Sequence, residues 1–189
     1  NGLIQNNVMT GLVTIERGSA IFAVGGSNNK ILNNEIDGNG KLDDGIVLIN
    51  EDGDLVQGND LSNFWDCGIE FTHSITNTVI DGNNISNANI CGIGAWYGNS
   101  MKGNTISNNA VSKSPRLFLF FREWDLQTAR QDVMYFQNNV FEGNVITEKT
   151  ETSNSNMKPS FYFDFYSSNA PVKQSDLIAG NNILKNNDF

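Results

Sequence analysis

Short apolar clusters recur along the chain at similar intervals, separated by asparagine and glycine. Seven hexads share one order: apolar, any residue, Gly or Asn, Asn, any residue, apolar. They run from Ile4 to Met9, Ile31 to Ile36, Val56 to Leu61, Ile80 to Ile85, Met101 to Ile106, Phe136 to Phe141 and Ile178 to Ile183. Their first positions lie 27, 25, 24, 21, 35 and 42 residues apart. In each hexad one apolar residue ends a short strand and the other begins the next, both pointing inward. The Gly/Asn-Asn pair between them bends the chain through a left-handed residue, which these two residue types tolerate best.

A second strand precedes most hexads, at Ala20-Ile21-Phe22, Gly45-Ile46-Val47-Leu48, Gly68-Ile69-Glu70-Phe71, Gly92-Ile93-Gly94-Ala95, Leu117-Phe118-Leu119-Phe120 and Phe161-Tyr162-Phe163-Asp164-Phe165. Regular self-similarity at this period means a solenoid. Leucine-rich repeats would need a Leu-x-x-Leu-x-Leu frame, which is absent, and propeller blades a repeat of about 40 residues. The pattern predicts an all-β chain: one parallel β-helix domain over residues 1–189, of about seven coils. Stacked turns would carry an asparagine ladder, with Asn34, Asn59, Asn83 and Asn104 in one line at the strand spacing of roughly 4.8 Å.

The Gly-Ile-x-apolar strand, the period and the Gly-Asn-x-Ile turn together resemble the pectin-lyase-like superfamily of right-handed β-helices. The resemblance covers nearly the whole chain. It implies a right-handed coil and a carbohydrate-active or surface protein. It does not select an activity, because fold does not fix function.

Departures from the period mark insertions near 121–135, 147–159 and 167–176. Two of them leave the same strand edge in successive coils, after Phe120 and Phe165, and would wall a groove over the Gly-Ile sheet. The chain opens on Asn1-Gly2-Leu3-Ile4 and stops straight after a repeat. Since solenoids need capping elements, the sequence predicts an uncapped stretch that meets further β-helix coils of a longer chain or a neighbouring subunit.

A net charge of −9 excludes the clustered basic surface that nucleic acid or an anionic membrane requires. No apolar run approaches the roughly 20 residues of a membrane helix. Cys67 and Cys91 each precede the glycine of a Gly-Ile strand one coil apart, so stacking makes them neighbours. In-register parallel strands present poor bridge geometry, which predicts free, buried thiols.

Alternation within the strands places candidate chemistry on one outer face. With Ile69 and Phe71 inward, Glu70 and Thr72 point out, as do Trp96, Tyr162, Asp164 and Tyr166. Coil five cannot be phased, because residues from Leu117 to Phe121 are all apolar, but Arg122 falls near its end with Trp124 close by. Glu70 and Asp164 are the candidate acid and base, and Arg122 the partner of a sugar carboxylate or hydroxyl. Trp96, Tyr162, Tyr166 and Trp124 are the candidate sugar-stacking rings, a role aromatic residues suit. His73, the one residue whose ordinary titration lies near neutral pH, reads as an ordinary turn residue or a base.

Asp43-Asp44-Gly45-Ile46 resembles the Asp-Asp strand start of polygalacturonases. The companion segments of that family fail, however: Ser19-Ala20-Ile21 and Cys67-Gly68-Ile69 stand in their places. The segment from Asp37 to Asp43 begins like a calcium loop, yet Lys41 occupies a ligand position and the terminal Glu is missing, so it reads as a plain turn. No cofactor or metal site is expected; calcium is the one ion that the likeness to lyases leaves open. Two functions remain: an extracellular or cell-surface enzyme acting on a polysaccharide (lyase, hydrolase or epimerase), or a non-catalytic glycan-binding adhesin or scaffold.

Overall fold

The structure, a computed structural model, describes residues 1–11, 18–121, 134–150, 160–164 and 177–189, and only the backbone at 97–99, 121, 134, 164, 177 and 178. Its described elements are all strands, wound into a parallel β-helix with three faces. The first sheet has seven strands, from Leu3–Gln5 through Lys30–Leu32, Leu55–Gln57, Val79–Asp81, Thr105–Ser107 and Val140–Glu142 to Ile183–Lys185. The second has six, from Val8–Met9 to Val145–Thr147. The third stacks Ile21–Val24, Ile46–Asp52, Cys67–Thr76, Cys91–Lys102, Phe118–Phe121 and Phe161–Asp164, with Met134–Gln137 and Leu177–Gly180 off this path. Six turns closed by a seventh strand are slightly fewer than the seven coils expected.

Inward residues stack in columns. Ile31, Val56, Ile80, Ile106 and Phe141 fill the core from the first sheet, and Ile36, Leu61, Ile85, Val111 and Ile146 from the second. The third contributes Ile46, Ile69, Ile93 and Phe118, followed by Leu48, Phe71, Ala95 and Phe120. Toward the last coils phenylalanine replaces isoleucine, with Phe118 edge-on to Phe141 at 4.8 Å and Phe120 edge-on to Phe136 at 5.1 Å.

The asparagine turn proves to be two turns, one at each end of the first sheet. At the corner leading to the second sheet, Asn7, Asn34, Asn59, Asn83, Asn109, Asn144 and Asn187 form one ladder, each amide nitrogen donating to the oxygen of the next. At the corner arriving from the third sheet a second ladder runs through Asn29, Asp54, Thr78, Asn104, Asn139 and Asn182. Asn104 is therefore not in line with Asn34, Asn59 and Asn83. Both corners impose the same need, a left-handed residue followed by an inward polar group. So Asn33, Gly58 and Gly82 at one corner match Gly103, Asn138 and Asn181 at the other in positive φ. Reading both corners as one turn made the interval from Ile80 to Met101 look short; Ile80 actually pairs with Ile106. In the last turn the ladder residue is Asn182 rather than Asn181.

Glycine before isoleucine has a steric cause. A Cβ at Gly68 would lie 2.4 Å from Ile85 Cγ2, because this corner presses the backbone against the core. The chain leaves the third sheet after Phe121 and rejoins the same coil at Met134–Gln137, which pairs with Ser100, Met101 and Lys102. In earlier coils this point is a register shift, between Ile49 and Glu51 and between Trp96 and Ser100. Most of the three expected insertions, including the wall of the expected groove, lies outside the described residues.

Candidate functional site

The outer face of the third sheet carries a row that crosses the strands: Phe22, Val47, Glu70, Gly94, Leu119 and Tyr162 are successive register partners. At strand spacing the row spans about 24 Å. Its ends are open, with Phe22 61% and Tyr162 37% exposed, whereas Val47 and Leu119 are buried. A second row holds Val24, Ile49, Thr72 and Trp96. Phe118 and Phe120 point into the core and Leu119 points out, which settles the phase of coil five.

Strict alternation would send Cys67 inward with Ile69. Instead Gly68 takes the inward place against Ile85, and the sulfur of Cys67 packs with Cys91, Leu119, Ile90 and Trp96 outside the main core. Cys67 and Glu70 thus share a face although three positions apart. Cys91 is the register partner of Cys67, both are fully buried free thiols, and their Sγ atoms lie 2.8 Å apart. Burial pushes both thiols above their usual range.

Beside the thiols, Asp44, Asp66, Cys67 and Glu70 bring one side-chain donor atom each within 4.8 Å of one another. The Cys67 backbone N–H donates to Asp44 Oδ1 at 3.1 Å, Ser19 Oγ donates to Asp44 Oδ2 at 3.5 Å, and Cys67 Sγ donates to Asp66 Oδ1 at 3.1 Å. Burial, reinforced by the charge of Asp66, pushes Asp44 up to about 8. Burial and then the charges of Asp44, Asp66 and Asp43 push Glu70 up to about 9. Two carboxyls that hold protons at neutral pH beside a charged third are the arrangement that general acid catalysis uses. The same four residues could ligate a cation. A calcium ion takes roughly six to eight oxygens, so water or a ligand would have to complete its shell.

At the other side of the thiols lies Arg116, buried in the segment before Phe118–Phe121. Its Nη1 donates to the carbonyl of Ile90 at 3.3 Å, and its guanidinium stands 5.4 Å from the centroid of the Tyr162 ring. Burial lowers its pKa.

Of the residues proposed from sequence, the structure brings Glu70, Trp96 and Tyr162 onto one face. Asp164 is three strands from Glu70 and two residues further along, level with Phe121 and Thr72, or about 16 Å away at strand spacing. His73 has φ 65° and takes the bend that Asn50 takes one coil earlier. Arg122, Trp124 and Tyr166 lie outside the described residues. Asp44, Asp66, Cys67 and Arg116 were missed as site residues. The readable signal was an acidic residue just before two successive Gly-Ile strands, Asp44-Gly45-Ile46 and Asp66-Cys67-Gly68-Ile69.

Residues 1–121 match the family described as right handed beta helix region. The chain belongs to the right-handed β-helix family. No curated protein and no solved structure matches it. Membership fixes the coil but assigns no chemistry to the face.

Proposed function

We propose that this right-handed β-helix is a carbohydrate-active protein of the pectin-lyase-like kind that hydrolyses a polysaccharide at the cell surface or outside the cell. The observation that carries this reading is the convergence of Asp44, Asp66 and Glu70 on the outer face of the third sheet. A sugar polymer lies across the strands from Phe22, over Asp66 and Glu70, toward Tyr162. Ring and apolar surfaces at the two open ends suit pyranose faces. Glu70 gives its proton to the leaving glycosidic oxygen as the C–O bond breaks. At this spacing the Asp66 carboxylate bonds to the anomeric carbon as that C–O bond breaks, and water then displaces the sugar from Asp66, giving its proton to the now ionised Glu70. Asp44 holds the cluster through the backbone of Cys67.

The formal charge of −9 favours a neutral glycan over an acidic one. The test is a panel of polysaccharides assayed both for new reducing ends and for the unsaturated sugar that a lyase would leave. Hydrolysis predicts reducing ends without unsaturation. Binding without either product would establish the alternative, a non-catalytic glycan-binding module.

A further inference from the structure

The guanidinium of Arg116 is held in place but not satisfied. The N–H of Gly92 donates to the Arg116 carbonyl at 2.9 Å, which sets Arg116 beside Cys91, one coil on. The residue is 7% exposed. Its Nη1 donates to the carbonyl of Ile90, whose own N–H donates to the carbonyl of Asp66 at 3.0 Å. Arg116 therefore stands two coils on from Asp66, about 10 Å at strand spacing. Its Nε is buried without a hydrogen-bond partner, and among the described residues Arg116 makes no ion pair. Arginine has more N–H donors than the bond to Ile90 uses. A buried donor left over is costly, the more so on a charged group. An acceptor brought by a ligand would remove that cost.

Tyr162 supplies the surface beside it. The guanidinium carbon lies 5.4 Å from the centroid of the Tyr162 ring, within cation–π reach, so each side chain limits the movement of the other. Tyr162 itself stays exposed, at the open end of the row that runs through Glu70, Gly94 and Leu119. An exposed ring next to spare N–H donors matches the two surfaces of a pyranose, an apolar C–H face and hydroxyl oxygens around its rim.

We propose that Arg116 and Tyr162 form a distal subsite for one neutral sugar unit of the polymer. The unit packs on the exposed part of the ring, and one of its hydroxyls accepts from the guanidinium. This rests on the reading of the outer face as a glycan path with its cleaved bond at Glu70. Tyr162 is three strands from Glu70, about 14 Å at strand spacing, so only a chain of several sugar rings fills both places. An acidic chain is disfavoured, because it would pass the Asp66 and Glu70 carboxyls before reaching Arg116.

The experiment measures binding by calorimetry in a Glu70→Gln background, so that no cleavage intervenes. The probes are oligosaccharides of glucose, xylose and mannose, from disaccharide to octasaccharide, with uronic acid oligomers of the same lengths beside them. Affinity for a neutral series should rise about 10-fold or more at the length that first reaches Tyr162. That step should vanish in Tyr162→Ala and in Arg116→Met and persist in Tyr162→Phe, while short oligomers bind all four proteins alike. A step that survives both Tyr162→Ala and Arg116→Met overturns the proposal, and so does a loss that is equal at every length. Should Arg116→Met fail to fold, Tyr162→Ala, a change at an exposed ring, decides alone. A step seen only with the uronic acid oligomers also overturns it, since the subsite would then be one for an acid. The predicted step without polysaccharide cleavage by the parent upholds the subsite and sinks the hydrolase reading. Cleavage by the parent that is indifferent to Tyr162 and Arg116 at every length does the reverse. Absence of binding to every oligomer overturns both.

Discussion

Cys67 and Cys91 face each other on adjacent coils, fully buried, with their sulfur atoms 2.8 Å apart and the Cys67 thiol donating to Asp66. The pair separates the carboxyl cluster from Arg116 and forms the floor on which Trp96 packs. Since burial holds both thiols protonated, neither should react with a disulfide reagent in the folded protein, and both should react after unfolding without reductant. Failure to detect thiols in the unfolded, unreduced chain would show that the pair is oxidised.

The buried amides make the ladders the most sensitive part of the fold. Asn83 receives the backbone N–H and side-chain amide of Asn59, and donates to Val56 O and Asn109 Oδ1. Asn83→Ala should cost about 2–4 kcal/mol in urea unfolding, since it leaves buried donors and acceptors unpaired. Asn182→Ala, at a half-buried rung, should cost less. Equal losses at the two positions would mean that burial does not set the cost.

The second ladder has a flaw at Asp54. Its Oδ2 is buried without a hydrogen-bond partner, and nearby Glu51 is raised by burial and by its contact with Asp54. Asp54→Asn supplies an amide donor beside the Glu51 carboxyl, and should stabilise the protein by about 1 kcal/mol. A destabilised variant would show that the Asp54 side chain has a role outside the ladder.

Asp44 and Glu70 set the direction of pH dependence. Their folded values of about 8 and about 9 lie well above ordinary carboxyl values of about 4. Between those limits the folded chain binds more protons than the unfolded chain, so stability should fall as pH rises from about 4 to about 9. Asp37 and Asp52 are held low by hydrogen bonds from Asn63 and Thr76, and act only at lower pH. Asp44→Asn should flatten the decline and gain about 1–3 kcal/mol over the parent near pH 9. A melting temperature that rises across this window would contradict the protonated cluster.

The coil was legible in the sequence because its apolar spacing and left-handed turns depend on residue type alone. The double ladder was not. Asn83 and Asn104 occupy identical local patterns, and only strand pairing shows that they sit at different corners. The site was half legible. Simple alternation placed Glu70, Trp96 and Tyr162, but the inward step at Gly68 that turns Cys67 outward is a tertiary effect of Ile85. Asp44 stands in an acidic strand start, but the segments that accompany such a start in polygalacturonases are absent, so the local sequence carries no sign of its role. Its meeting with Glu70 depends on how the coils stack.

The most direct measurement is the pH dependence of polysaccharide cleavage by the parent and by Glu70→Gln, on whichever neutral glycan of the panel the parent hydrolyses. The cluster predicts activity that is lost as pH rises through about 9, when Glu70 gives up its proton. It also predicts a rate lower by about 100-fold to 10,000-fold in Glu70→Gln, the usual worth of a positioned proton donor. A Glu70→Gln protein that cleaves the same glycan at the parent rate, with the same pH profile, would contradict the account.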